Sequence, residues 1–74
     1  MGRTEAKQLV SDEIARIDSE YDALSARLFC RVTGNTLVQW PDVDEVDAMA
    51  NGYAEDPEGY GIEVRSNDEV VAVI

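Results

Sequence analysis

The 74-residue sequence contains no histidine, only one cysteine and, between residues 32 and 64, no lysine or arginine. The lack of histidine removes the commonest general base and the commonest ligand of transition metals. A lone cysteine, Cys30, cannot form an internal disulfide, which favours a reducing, cytoplasmic compartment. These absences predict a protein that is not an enzyme, has no catalytic residues and holds no metal or cofactor.

Long apolar segments are missing as well. No apolar run approaches the roughly 18 residues of a membrane-spanning helix. Residues 1–7 lead directly into a polar helical pattern, with no apolar signal segment behind them. A chain this short buries only about 60% of the surface that its unfolded form exposes. We therefore expect one domain over residues 1–74, with a single core, no deep pocket and no membrane association.

Acidic residues are the dominant feature, and they are unevenly placed. The chain has 16 acids and 6 bases, for a net charge of −10. Residues 1–31 hold six acids and five bases, whereas residues 32–64 hold eight acids and no base. Nucleic acids and anionic lipids are polyanions and would be repelled by such a protein. The expected partner is therefore a protein with a basic surface, and direct binding of nucleic acid is not expected.

The N-terminal third has the apolar spacing of an amphipathic helix. Steps of three and four residues separate its apolar positions, which predicts a helix from about Thr4 to Ser25. The stripe consists of Ala6, Val10, Ile14, Ile17, Tyr21, Leu24 and Leu28. Strand patterns follow immediately, so the stripe indicates packing on a core rather than a coiled-coil seam.

Two turn signals predict two antiparallel hairpins. Gly34-Asn35 and Asn67-Asp68 each stand between apolar runs and tolerate the positive φ of a two-residue hairpin loop. Counting outward from these turns gives the predicted cross-strand pairs Val32–Leu37, Phe29–Trp40, Val64–Val71 and Ile62–Val73.

Strand alternation then divides the side chains between two faces. The face predicted to receive the first helix holds Leu28, Cys30, Val32, Leu37, Tyr60, Ile62, Val64, Val71 and Val73. The other face holds Phe29, Val38, Trp40, Val70, Ala72 and Ile74, interrupted by Arg27, Arg31, Glu63 and Arg65. This second face is too apolar to stay open to solvent. The second helix, a second copy of the chain in a homodimer, or a partner is expected to cover it, with Phe29 and Trp40 as the candidate apolar interface.

The second helix is predicted to begin at Asp42, where Asp42 and Glu45 have the spacing of a capping box, and to end at Gly52. The sequence thus predicts an α+β fold of order α-β-β-α-β-β. Two antiparallel hairpins form its sheet, and a long N-terminal amphipathic helix packs on one face.

Neither the cysteine nor the acids match a catalytic or metal-binding pattern. Cys30 alternates with Leu28 on the predicted core face, which favours a small buried hydrophobe over a nucleophile. An EF-hand needs an oxygen ligand at position 5, Gly at 6 and Glu at 12. Counted from Asp42, those positions hold Val46, Asp47 and Tyr53, so the loop does not match.

Three interpretations of function remain. The first is an inhibitor or nucleic-acid-mimic decoy that presents carboxylates to a basic site on a nucleic-acid-handling protein. The second is a small assembly or adaptor subunit that binds through the apolar sheet face. The third is salt adaptation without a role for the charge, although adaptation would acidify residues 1–31 as well. The residues expected to meet a basic partner are Asp44, Glu45, Asp47, Glu55, Asp56 and Glu58.

In size, charge and αβ character, the chain resembles small phage-encoded or stress-induced proteins that block restriction, CRISPR or recombination machinery. That resemblance implies the inhibitor function. The helix–hairpin–helix order of residues 4–52 is similar to that of small phage head-completion proteins, which implies the assembly function instead.

Overall fold

The computed structural model describes residues 2–74 and confirms the α+β order predicted from the sequence. The elements are α1 (Arg3–Asp18), β1 (Leu24–Cys30), β2 (Thr36–Trp40), α2 (Val46–Glu55), β3 (Tyr60–Ser66) and β4 (Glu69–Val73). All neighbouring strands are antiparallel, and their order across the sheet is β2-β1-β3-β4. Neither α1 nor α2 is long and apolar enough to cross a membrane.

Both helices pack on the same face of the sheet, so the core lies between a helix layer and a sheet layer. Ala6, Val10, Ile14 and Ile17 of α1 and Met49, Ala50 and Tyr53 of α2 belong to one buried cluster with alternate residues of β1 and β3. The Cα atoms span 28 × 27 × 15 Å, the proportions of a two-layer slab. Within residues 2–74, no helix or strand covers the other face of the sheet.

The predicted first helix was too long by seven residues. It ends at Asp18, where the Ser19 hydroxyl donates a hydrogen bond of 2.8 Å to the Arg16 carbonyl. A bend with Ala23 at φ 54° then redirects the chain into β1. Leu24 and Leu28 fit the helical spacing, but as residues i and i+4 they also share one face of a strand. This segment forms a strand because it pairs with both β2 and β3.

The first hairpin has a longer turn than predicted. Cys30 donates to the Asn35 carbonyl, so residues 31–34 form a four-residue loop, closed by Gly34 at φ 78°. A bulge follows, and Phe29 pairs with Thr36. The predicted pairs Phe29–Trp40 and Val32–Leu37 are therefore wrong: Trp40 pairs with Ala26, and Val32 lies at the loop tip, 89% exposed.

The second hairpin has the predicted two-residue turn. Asn67 and Asp68 have φ values of 50° and 71°, as a type I′ turn requires, and Ser66 pairs with Glu69. A bulge between Val64 and Arg65 shifts the register by one residue farther from the turn. The predicted pairs Val64–Val71 and Ile62–Val73 are therefore replaced by Val64–Ala72 and Glu63–Val73.

The second helix begins four residues later than predicted. Asp42 does not cap it; its Oδ1 accepts the backbone N–H of Asp44 at 3.0 Å, which forms a turn ahead of the helix. Gly52 does not end the helix but lies inside it. A Cβ at Gly52 would approach Leu28 Cδ2 to 2.8 Å, so glycine allows α2 to lie close against β1.

The topology contains an approximate two-fold repeat. The order α-β-β occurs twice, and the strand order is symmetrical about the β1–β3 pair. The β1–β3 ladder runs from Leu24 opposite Ser66 to Cys30 opposite Tyr60, so its middle pair is Arg27 opposite Glu63. The residue pair at the centre of the sheet is thus a charged one.

Candidate functional site

The six acids predicted to meet a basic partner lie at the two ends of α2. Asp44, Glu45 and Asp47 surround its start, whereas Glu55, Asp56 and Glu58 surround its end, and all six are exposed. We call these six residues the acidic ridge. A ten-residue helix is about 15 Å long. The structure therefore brings the six acids to one element but separates them into two groups.

The first group has a favourable position. The N-terminus of a helix carries partial positive charge and stabilises nearby carboxylates. The Lys7 Nζ of α1 lies 2.9 Å from Asp47 Oδ1, in a pair that is largely exposed on both sides. Within residues 2–74, no other ridge carboxylate has a cation within ion-pair distance. Most of the ridge is consequently available to a partner's basic side chains.

The second group has an unfavourable position. It lies at the C-terminus of α2, where the helix dipole disfavours negative charge, and the last turn contains no basic residue. Asp56 has a local structural role, since its Oδ1 accepts the Gly59 N–H at 3.1 Å and its carbonyl accepts the Tyr60 N–H at 2.8 Å. Glu55 and Glu58 form no side-chain hydrogen bond within residues 2–74.

The uncovered face of the sheet is polar and bears half of the chain's basic residues. Arg27, Phe29 and Arg31 of β1 and the loop after it project there, since they alternate with the core residues of that strand. Glu63 and Arg65 of β3 lie beside them. We call these five residues and their neighbours on that surface the open face.

The predicted joint interface of Phe29 and Trp40 is not formed, because the two side chains lie on opposite faces. Trp40 pairs with Ala26, a core residue, and is 7% exposed within the single chain. Trp40 is thus covered within the monomer because it lies on the face that the helices cover. The alternative in which the second helix covers the face of Phe29 is wrong, since no helix or strand of residues 2–74 lies on it. Ala72 and Ile74 also pack against the core, while Val32, Leu37 and Val73 from the predicted core face are exposed.

Glu63 organises the centre of the open face. Arg27 forms a bidentate contact with its carboxylate: Nε donates to Oε1 at 3.1 Å and Nη2 donates to Oε2 at 3.2 Å. Arg65 Nε donates to the same Oε1 at 2.7 Å. The hydrogen bonds from Arg27, then those from Arg65, hold the pKa of Glu63 below its ordinary value, although burial opposes this shift. Glu63 is 9% exposed as a residue, and its carboxylate is ionised at neutral pH with two guanidinium partners.

Arg27 also fixes the first hairpin loop. Its Nη1 donates to the Gly34 carbonyl and to the Thr36 hydroxyl, each at 2.9 Å. Two guanidinium groups contact the Phe29 ring, with Arg27 Cζ at 5.0 Å and Arg31 Cζ at 5.9 Å from its centroid. The ring covers Gly61, where a Cβ would lie 2.8 Å from it.

Sequence reasoning missed this cluster because the arginines were treated as interruptions of an apolar face. Two signals were present: Arg27, Phe29 and Arg31 alternate along β1 and into the loop after it, and Glu63 and Arg65 alternate along β3. Opposite charges on adjacent strands pair when they face each other. Arg27 and Glu63 lie on β1 and β3, which no hairpin turn connects, so the sequence alone did not show that they face each other.

Cys30 is half-buried at the end of β1 rather than buried as predicted. Hydrogen bonds from the Thr33 hydroxyl, then from the Thr33 and Val32 backbone, lower the pKa of its thiol. Within residues 2–74, no three ligand-type side chains gather into a group able to hold a metal ion.

Comparison with protein-family models, with curated proteins and with solved structures finds no match for this chain.

Proposed function

We propose that this protein is a non-enzymatic, acidic protein-binding module that acts as an inhibitor or nucleic-acid-mimic decoy on the basic site of a nucleic-acid-handling protein. One observation carries the proposal. Residues 41–59, which comprise α2 and its flanking loops, hold seven acids and no base. The six ridge carboxylates among them are exposed, and Lys7 pairs only with Asp47.

The density of charge supports mimicry of a nucleic acid. Duplex DNA carries one negative charge per roughly 1.7 Å of its axis. Six ridge carboxylates around a helix of about 15 Å give a density within a factor of about two of that value. A concentrated field of this kind would speed association with a basic site by about 10–1000-fold.

The placement of the acids also supports a functional role. Glu55 lies in the last turn of a helix whose dipole it opposes, without a compensating base in that turn and, within residues 2–74, without a side-chain hydrogen bond. Acids placed only to raise solubility would avoid this position. A local arrangement that costs stability without a visible structural return is typical of functional surfaces.

The adaptor alternative lacks the exposed aromatic interface that the sequence suggested for it. It required an apolar sheet face containing Trp40, and this side chain is part of the monomer core. Phe29, the other aromatic residue of that predicted interface, is half-buried and makes cation–π contacts with Arg27 and Arg31.

The test is capture of DNA-binding proteins from a cell extract on the immobilised chain, followed by elution with duplex DNA. The variant Glu55→Gln, Asp56→Asn, Glu58→Gln neutralises one end of the ridge, and the amide oxygen introduced by Asp56→Asn still accepts the Gly59 N–H. The matched control, Asp12→Asn, Asp18→Asn, Glu20→Gln, removes the same charge from exposed positions of α1 and the loop after it.

We expect the captured protein to be displaced by DNA, to bind the ridge variant at least tenfold more weakly, and to bind the control nearly normally. Binding should also weaken steeply with salt. Equal losses in the two variants would show that net charge alone drives capture, and an unchanged ridge variant would overturn the proposal.

A further inference from the structure

The open face contains a pocket that the acidic ridge does not explain. It has a volume of about 410 Å³ and lies above the Arg27–Glu63–Arg65 cluster. Its lining comprises Ser25, Ala26, Arg27, Thr36, Gln39, Glu63, Arg65 and Asp68. The pocket and the ridge lie on opposite sides of the molecule, since α2 packs on the other face of the sheet.

Several hydrogen-bond donors converge on this pocket with capacity to spare. Arg65 uses only Nε within residues 2–74, so both of its Nη groups remain available. Gln39 and Ser25 form no side-chain hydrogen bond in the same part of the chain, and Thr36 accepts from Arg27, which leaves its hydroxyl proton to donate. Arg65 is 43% exposed by side chain and accessible to a ligand.

The cluster presents one guanidinium that a negative group can contact. Glu63 neutralises one of its two arginine partners, so the triad of Arg27, Glu63 and Arg65 has a formal charge of +1, and Asp68 at the rim brings the whole pocket lining to a formal charge of zero. The attraction for a carboxylate therefore comes from direct contact with Arg65 and not from the net charge of the pocket. The two Nη groups of an arginine match the two oxygens of a planar carboxylate. Because Glu63 holds both guanidinium groups in place, a ligand would meet an Arg65 side chain that is already oriented.

Two valines beside the cluster, outside the residues that line the pocket, offer an apolar contact. Val73 pairs with Glu63 and Val70 pairs with Arg65, so both valines lie on the open face beside the cluster. They are 55% and 45% exposed. A ligand with a carboxylate next to an apolar side chain would therefore contact Arg65 through the first and the two valines through the second.

We propose that the open face is a second interaction surface, at which the pocket beside Arg65 binds a carboxylate side chain in an acidic segment of a partner protein, with a neighbouring apolar side chain against Val70 and Val73. The inference does not depend on the function proposed for the acidic ridge. If both hold, the molecule bridges a basic protein and an acidic one.

A nucleic acid fits this surface poorly. Polyanion binding depends on many phosphate contacts, whereas the triad supplies one net positive charge and Asp68 stands at the rim. The guanidinium groups of Arg27 and Arg31 already lie over the Phe29 ring, so a base would have to compete with them for stacking. A free small carboxylate would gain the arginine contact but not the contact with the valines.

The experiment is an NMR titration of the intact chain with the capped peptide Gly-Val-Glu-Val-Gly, following the Gln39 side-chain amide and the Arg65 Nε–H. The variant Arg65→Gln leaves the two-point contact of Arg27 on Glu63 intact. Its control, Arg3→Gln, makes the same charge change on α1. Gln39→Ala tests the pocket without a change of charge. Parallel titrations use the peptide with Gln in place of Glu, acetate, inorganic phosphate and a single-stranded oligonucleotide.

We expect the peptide to shift both signals, and Arg65→Gln to weaken its binding about tenfold or more, as expected for a charge-assisted pair. Arg3→Gln should change the affinity less than twofold, and Gln39→Ala should weaken it several-fold. Equal binding of the Gln peptide, or equal losses in the two arginine variants, would overturn the proposal. Acetate, phosphate or the oligonucleotide binding as tightly as the peptide would overturn it too, by assigning the surface to that ligand. If Arg65→Gln does not fold, an unchanged affinity of Gln39→Ala for the peptide would overturn the proposal.

Discussion

At the scale of single residues, Glu63 is the charge on which the open face depends. Its pKa is lowered in the folded chain, chiefly by the hydrogen bonds from Arg27. The unfolded chain therefore binds the proton more tightly. The resulting stability is present above the unfolded pKa of about 4.3 and is lost as the pH falls through the lower folded value.

We expect the melting temperature to decline below about pH 4.3 and Glu63→Gln to flatten part of that decline. The variant should also lose about 1–3 kcal/mol at pH 7, because two guanidinium groups lose their charged acceptor. Circular dichroism melting curves between about pH 2.5 and 7 measure both effects. Asp18→Asn, an exposed acid distant from the arginines of the open face, is the control and should retain the acid slope of the parent. An unaltered slope in Glu63→Gln would contradict the role assigned to this residue.

At the scale of elements, the packing of α2 on the sheet depends on a missing side chain. In an isolated helix, replacing Gly52 by alanine would stabilise by about 1 kcal/mol. In this fold the new Cβ would approach Leu28 Cδ2 to 2.8 Å, and Leu28 is 4% exposed within the core. Overpacking of this kind costs about 1–3 kcal/mol.

We therefore expect Gly52→Ala to lower the free energy of unfolding by about 1 kcal/mol, the difference between these two effects. Urea unfolding of the variant measures it. Asn51→Ala, at the adjacent exposed position of the same helix, should be neutral or stabilising. If Gly52→Ala were stabilising as well, α2 would not lie as close to β1 as described.

The turn between β3 and β4 gives the opposite expectation. Asp68 has φ 71°, a conformation that glycine adopts without steric cost. Asp68→Gly creates the preferred Asn-Gly pair of a type I′ turn and should raise the free energy of unfolding by about 0.5–1 kcal/mol. Asp68→Asn removes the same charge and separates the electrostatic contribution. A destabilised Asp68→Gly variant, measured by urea unfolding, would contradict the turn type.

The sequence was most informative where structure is determined locally. The Asn67-Asp68 turn depends on two residues and their backbone preferences, and the sequence predicted it correctly. The first hairpin did not follow so simply, because Gly34 closes a four-residue loop instead of starting a two-residue one. The turn residues alone could not distinguish these loops, and every pair outward from the loop changed with it.

The remaining errors arose where contacts between segments distant in sequence determine the secondary structure or the strand register. The spacing of Leu24 and Leu28 fits both a helix and a strand, and only the pairing with β3, more than thirty residues away, selects the strand. The acidic ridge was visible in composition. The arginine cluster required the register that places Arg27 opposite Glu63, which the sequence does not contain in any local form.

At the scale of the whole molecule, the uneven charge should affect stability. Exposed carboxylates around α2 repel one another, and salt screens that repulsion over about 8 Å at 0.15 M. We expect added NaCl to raise the melting temperature. Asp44→Asn with Glu45→Gln should remove much of this response, because both ridge acids lack a cationic partner within residues 2–74. Asp12→Asn with Asp18→Asn serves as the control. Equal salt responses in the two double variants would indicate dispersed acidity, as in salt adaptation.

The symmetrical strand order has a consequence for biosynthesis. β1 is a central strand, yet its neighbour β3 begins at Tyr60, thirty residues beyond Cys30. At about 5–20 residues per second, a ribosome needs roughly 1.5–6 s to add that segment. Until β3 and α2 are available, β1 has an unpaired inner edge and the apolar stripe of α1 has no second helix to pack on. We expect this protein to depend on chaperones during translation more than its small size suggests, and slower translation between Cys30 and Tyr60 to increase aggregation.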